Sequence, residues 1–330
     1  MKNRQIVLAR RPRGQVEQAD FRMVETDLLP VRDGQALTRI HYLSLDPYMR
    51  GRMDERKSYA PPQPLGEVMI GATVAEVLES RDPSLEPGDF VAGMAGWQQY
   101  QVTAAAGLRK LDVSVIPPSA YLGCVGMPGV TAWYGLTRIG KPKAGETVVV
   151  SAAAGAVGSV VGQLAKLLGC RAVGIAGGKE KCDLVTGEFG FDACIDYKAS
   201  SFAADFDAAT TSGIDVLFEN TGGPSLDAAL ARMNPFGRIA VCGLIAGYGG
   251  QPIPINNVRP ILTSRLLLQG FIVSEHMELW PEALAELARH VAAKRIRYRE
   301  TIVQGLENAP RAFIGLLRGE NIGKQLVSLI

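Results

Sequence analysis

The residues best suited to chemistry lie in VVVSAAAGAVGSVVGQLAKLLG, residues 148–169. An apolar run ends there in small residues and passes directly into a segment whose apolar positions Val157, Val160, Val161, Leu164 and Leu168 recur at helical spacing. Gly155 and Gly158 take the second and third places of a dinucleotide fingerprint, and Ala153 stands where the first glycine is usual. Small residues at such a turn let the backbone approach a pyrophosphate, and the helix that follows offers its free N–H groups. An acid about 20 residues further on would hold the ribose 2′-hydroxyl of NAD. The chain instead reads Ala176, Gly177, Gly178, Lys179, Glu180, Lys181, with no acid at the strand tip and two lysines in the turn. That pattern suits the 2′-phosphate of NADPH, whose charge needs a cationic partner.

Other chemistries lack their residues. The only histidines are His41, His276 and His290, and none lies within ligand spacing of Cys124, Cys170, Cys182, Cys194 or Cys242. No catalytic or structural metal site is expected from such a set, and no G-x-S-x-G elbow is present for a serine hydrolase. Reversible alcohol oxidation without a metal loses its usual Lewis acid. Hydride addition to an activated alkene fits better, because the conjugated carbonyl takes up the developing charge and one or two hydrogen-bond donors can stabilise it.

The elements that must position these residues follow from length and rhythm. A chain of 330 residues exceeds the usual size of one core, so two domains are expected. With 35 basic against 33 acidic residues and no Lys/Arg block, nucleic acid is not an expected partner. The uncharged run Thr147–Ala165 is interrupted by the glycine turn, which argues against membrane insertion. Five scattered cysteines without a CxxC pair read as reduced thiols in a cytoplasmic protein. The first 120 or so residues read as short extended segments, Val68–Leu78 and Phe90–Gly93 among them. From Thr147 the runs TVVVSAA, RAVGIAG, ACIDY, DVLFEN and RIAVCGL alternate with helical stretches such as Val157–Leu168, the pattern of a parallel sheet covered on both faces. A strand over Leu266–Val273 and a helix over Pro281–Ala293 close that series. Thr301–Gln304, a helix over Ala309–Arg318 and a strand in KQLVSLI are too little for a core of their own. The expectation is an α/β protein in which a nucleotide-binding domain, 123–296, is inserted into a β-rich domain, 1–122 with 297–330.

Several segments together carry a family resemblance: LSLDPYMRGRM (43–53), GCVGMPGVTAWYGL (123–136), AAAGAVGSVVGQLAK, FENTGG (218–223), GRIAVCGLIAGY (237–248), GFIV (270–273) and GENIGKQLV. In that order, over essentially the whole chain, they resemble the medium-chain dehydrogenase/reductase superfamily. The nearest branch is the zinc-independent one of leukotriene B4 12-hydroxydehydrogenases/prostaglandin 13-reductases, alkenal double-bond reductases and bacterial curcumin reductases. The resemblance implies a doubly wound Rossmann sheet inserted into a GroES-like β domain, a homodimer, NADPH as cofactor and a small α,β-unsaturated carbonyl as substrate. It implies that Ala154, Gly155, Ala156 and Val157 face the pyrophosphate and that Lys181 and Tyr197 hold the 2′-phosphate. Asn220, the loop Cys242, Gly243, Leu244, Ile245, Ala246, Gly247 and Tyr248, then Phe271, Ile272, Val273 and Asn321 complete the cofactor site. Tyr248 is the implied catalytic hydrogen-bond donor to the substrate carbonyl, and Tyr48 the implied lining of the substrate pocket. Gly178 departs from the Ser or Thr common in the family, which removes one phosphate donor. A quinone reductase is the competing activity, and a non-catalytic NADPH-binding scaffold the competing class.

Overall fold

The computed structural model describes residues 2–330, and it divides into two units. One comprises the chain up to Leu122 with Glu300–Asn321 and Gln325–Ile330; the other comprises Gly123–Arg299 with Ile322–Lys324. The chain leaves the nucleotide unit after Arg299 rather than after residue 296, and it returns there for three residues near its end.

The first unit opens with β1 (Lys2–Leu8) and β2 (Phe21–Asp27), an antiparallel ribbon. β3 (Gln35–Ser44), α1 (Tyr48–Arg52), β4 (Thr73–Ser80), β5 (Phe90–Gly93), β6 (Tyr100–Ala104) and β7 (Arg109–Lys110) follow. Ala36, Thr38 and Ile40 of β3 alternate inward with the period of a pleated strand, and Ala36 and Ile40 pack with Ala75, Val77 and Val91. The strand expected over Val68–Leu78 starts only at Thr73. Before it the chain threads past Trp97 and Leu43, where even a Cβ on Gly71 would lie 2.9 Å from Leu43.

The second unit begins with α2 (Met127–Tyr134) and then alternates regularly. Its elements are β8 (Thr147–Ser151), α3 (Gly158–Leu167), β9 (Arg171–Ala176), α4 (Lys179–Gly187), β10 (Ala193–Asp196), α5 (Phe202–Ala209), β11 (Ile214–Glu219), α6 (Pro224–Arg232), β12 (Met233–Val241), α7 (Arg259–Thr263), β13 (Leu267–Gly270) and α8 (Trp280–Ala292). The six strands are all parallel, in the order β10-β9-β8-β11-β12-β13. Every residue of β8 is buried, as expected for a strand covered on both faces. Strand order reverses between β8 and β11, so ligands are expected outside the carboxyl ends of those two strands. β13 ends at Gly270, short of the expected Val273: Phe271 turns to pack on Tyr134 and Phe218, and Val273 opens a short 3-10 turn.

β14 (Glu300–Gln304), α9 (Ala309–Leu317) and β15 (Lys324–Ser328) complete the first unit's sheet, ordered β14-β15-β3-β4-β5-β7 with β6 also on β3. Phe313 of α9 meets Trp97 edge-on at 5.7 Å, and Trp97 stacks on Phe21 at 5.3 Å, forming the aromatic centre of that unit's core. No helix among the described residues is long and apolar enough to cross a membrane.

Candidate active site

The turn after β8 explains its own composition. Ala152 takes a left-handed conformation, φ 50°, and its carbonyl accepts the Gly155 N–H at 2.9 Å. The tight turn therefore centres one residue before Ala153, the position matched to the first fingerprint glycine. A Cβ on Gly158 would lie 2.4 Å from the Ala152 carbonyl oxygen, so only glycine lets α3 begin this close to β8. Gly155, Ala156 and Val157 are half-buried at the N-terminus of α3, where unpaired N–H groups and the helix dipole favour an anion. The short return segment braces the turn from behind: the Gly323 N–H donates to the Ala154 carbonyl at 2.8 Å.

A second cluster forms where β9, α4 and β10 meet. Gly178, at φ 96°, caps α4 in a conformation that side chains resist, which gives a structural reason for glycine at this position. The Tyr197 ring lies so close over Gly177 that a Cβ there would be 2.8 Å from it. Lys181 is half-buried on α4, and its ammonium pKa is pushed down by burial and then by the like charge of Lys198. Lys198 Nζ stands 5.8 Å from the centre of the Tyr197 ring. Lys179, the other lysine of the turn, is instead ion-paired with Asp183 at 2.6 Å. Two like charges beside an exposed phenol make a site that a phosphate dianion would relieve.

The sequence reading missed Lys198 and also Asp196. An acid does reach the tip of β9, but from its neighbour: Asp196 of β10 pairs in register with Ala176. Its Oδ1 accepts the N–H groups of Gly178 at 2.7 Å and Lys198 at 2.9 Å, and those backbone bonds hold its pKa down. That oxygen therefore organises the turn.

The third cluster lies at the carboxyl ends of β8 and β11. Asn220 donates from Nδ2 to the Ser151 carbonyl and from its backbone N–H to Ser151 Oγ, both at 2.7 Å. Glu219, fully buried, accepts through Oε1 from Ser151 Oγ, Thr221 and Gly222, while its Oε2 has no protein partner. The loop after β12 is stitched to this turn. Cys242 and Gly243 donate N–H to the Glu219 carbonyl, Ile245 to Asn220 and Ala246 to Thr221. Burial, followed by the nearby Glu219 carboxylate, pushes the Cys242 thiol up to about 12, which leaves it protonated and unsuited to act as a nucleophile. Leu244, Ile245 and Gly247 carry the loop on to Tyr248, half-buried at the end of a 3-10 turn with its N–H on the Ile245 carbonyl. Phe271 and Ile272 are half-buried and Val273 is buried on the strand-exit segment of the same unit.

Tyr48 and Asn321 belong to the β-rich unit. Tyr48 opens α1 and packs on the Trp97 core; burial, and then the Asp46 charge, raise its phenol pKa well above the ordinary range, so it stays a neutral donor. The histidines are otherwise engaged. His41 Nε2 contacts Glu76 at 3.1 Å, His276 stacks on Tyr134, and His290 lies 3.7 Å from Glu286. Among the described residues no group of three or more His, Cys, Asp or Glu side chains is arranged to hold a metal.

Residues 4–111 match the family model described as the N-terminal domain of oxidoreductase, and residues 156–289 match the one described as zinc-binding dehydrogenase. The chain is 46% identical to the NADPH-dependent curcumin reductase of Escherichia coli (strain K12), covering 99% of this chain and 96% of that one. It is 42% identical to the 2-alkenal reductase (NADP(+)-dependent) of Nicotiana tabacum, covering 98% and 97%. The solved structure of CurA from Vibrio vulnificus in complex with NADPH superposes with a TM-score of 0.94 at 44% identity over 99% of both chains. The chain belongs to the medium-chain dehydrogenase/reductase superfamily, in its zinc-independent double-bond reductase branch. Zinc, named in the second model's description, does not fit the residues present. A phosphorylated dinucleotide fits better: the close turn at Gly158 and the Lys181–Lys198 pair would suit its two anionic groups.

Proposed function

We propose that this chain is an NADPH-dependent reductase of the carbon–carbon double bond of α,β-unsaturated aldehydes and ketones, taking in 2-alkenals, enones and curcumin-like phenolics. The observation that carries the reading is the turn after β9, where Lys181, Lys198 and Tyr197 lie together and Asp196, the acid beside the strand tip, is bound by backbone amides. The two whole-length relatives, a curcumin reductase and a 2-alkenal reductase, support it. NADPH, when bound, supplies a hydride to the β-carbon of the alkene.

The protein's own part is positioning and electrostatics. The backbone of Ala154–Val157 faces the pyrophosphate, and Lys181 and Tyr197, joined by Lys198, hold the 2′-phosphate. Asn220, Cys242–Tyr248, Phe271–Val273 and Asn321 complete the cofactor site. Tyr248 donates its phenolic O–H to the substrate carbonyl oxygen as negative charge gathers there, while Tyr48 lines the substrate pocket. The α-carbon then takes its proton from solvent. The enzyme works as a homodimer in the cytoplasm.

Initial rates of NADPH oxidation with an enone test the assignment. Tyr248→Phe lowers kcat by about 10- to 1000-fold, equivalent to roughly 1.4 to 4 kcal/mol, if the bond strengthens in the transition state. The KM for NADPH stays the same. An unchanged kcat removes Tyr248 from catalysis, and faster turnover of quinones than of enals or enones overturns the substrate class.

A further inference from the structure

Two thiols lie beside the phosphate-binding turn. Cys182 follows Lys181 on α4, and Cys194 lies on β10 three residues before Tyr197. Both are free and half-buried, and their Sγ atoms are 2.9 Å apart, closer than unbonded sulfurs ordinarily rest. A disulfide needs about 2.05 Å, so bond formation asks for a closure of less than about 1 Å between a helix and the strand it packs on. The neighbouring contacts make the position consequential. Asp196, two residues after Cys194, anchors the Gly178 and Lys198 amides, and Tyr197 leans on Gly177.

We propose that Cys182 and Cys194 form a reversible disulfide by exchange with a small-molecule disulfide such as oxidised glutathione, and that this modification weakens NADPH binding. Burial raises both thiol pKa values, that of Cys194 further, so Cys182 is the entry thiol and the exchange is slow. Cys182 gives up its proton and its sulfur attacks the small disulfide, whose S–S bond breaks. One glutathione leaves and takes up a proton, and the other remains bonded to Cys182. Cys194 then gives up its proton, attacks Cys182 Sγ and displaces the second glutathione as a thiol. Two protein thiols are oxidised to one disulfide, and one glutathione disulfide is reduced to two thiols. The closure draws the first turn of α4 towards β10 and narrows the space between Lys181, Lys198 and Tyr197. The affinity effect rests on the assignment of those residues to the 2′-phosphate; the bond itself does not.

The full-length protein is incubated with excess oxidised glutathione, its remaining thiols are alkylated, and its peptides are mapped. The expected product is a Cys182–Cys194 crosslink, with the KM for NADPH raised about 5- to 10-fold, kcat nearly unchanged and both restored by dithiothreitol. Cys182→Ser and Cys194→Ser each remove the response to oxidant. Full alkylation of both cysteines after prolonged oxidation, or a glutathione adduct that never resolves, overturns the inference, as does a mapped crosslink with unchanged KM. Failure of the phosphate assignment is seen separately, as an unchanged NADPH affinity in Lys181→Ala without any oxidant.

Discussion

Lys181 is the residue on which the proposed cofactor choice turns. Burial and the like charge of Lys198 lower its ammonium pKa against the opposing pull of Glu180, a cost that an incoming phosphate would relieve. Lys181→Ala should weaken NADPH by about 1.5 to 3 kcal/mol, the range for a charge-assisted hydrogen bond, and leave NADH nearly unaffected. Titration of both nucleotides by quenching of protein fluorescence checks this; equal losses for the two would place Lys181 away from the phosphate. Lys181 stood out by its place in the turn, whereas Tyr197 and Asn220 were expected only from the family resemblance. Asp196 was not legible, because its role arises from the β9–β10 register that sets it opposite Ala176. Nor was Glu219, whose fully buried carboxylate looks from sequence like an ordinary residue before a turn.

At the scale of elements, α3 sits where it does because of two close approaches. Gly158 meets the Ala152 carbonyl, and Gly162 meets the Phe191 ring so closely that a Cβ would lie 1.8 Å from it. Gly162→Ala therefore overpacks the helix–sheet contact, and a loss of about 1 to 3 kcal/mol is expected despite alanine's better helix propensity. Urea unfolding followed by circular dichroism measures it; a more stable variant would mean that Phe191 moves aside freely. The parallel strands were legible as unbroken apolar runs, since both of their faces are covered. The end of Leu266–Val273 was misread because an extended, apolar stretch looks the same whether or not a neighbour offers ladder bonds. The start of Val68–Leu78 was misread because Val68 and Met69 bond to Val7, Ile6 and Trp97 only as an isolated bridge before β4 begins. Phe271 leaves its strand to pack on Tyr134 and Phe218, a choice made by tertiary contacts.

For the whole molecule, β13 is the telling strand. It ends the six-stranded order, and Leu267 and Leu268 on it are 51% and 38% exposed. An apolar edge of that kind invites pairing with a second copy across a two-fold axis. Light scattering at micromolar concentration should give twice the 35.3 kDa chain mass, and Leu268→Lys should shift the species towards monomer. Prolonged chelation should leave activity and melting temperature unchanged, as measured by NADPH oxidation and calorimetry, because no ligand set is present among the described residues. The topology also sets a timetable for the nascent chain. β3 is made early, yet its neighbour β15, wholly buried, emerges roughly 280 residues later. At about 5–20 residues per second the ribosome leaves the Tyr42–Ser44 end of that edge without its partner for about 15 to 55 s. The nucleotide unit, continuous from Gly123 to Arg299 apart from its last three residues, leaves the tunnel all but complete while the older half of the chain is still waiting for its final strand.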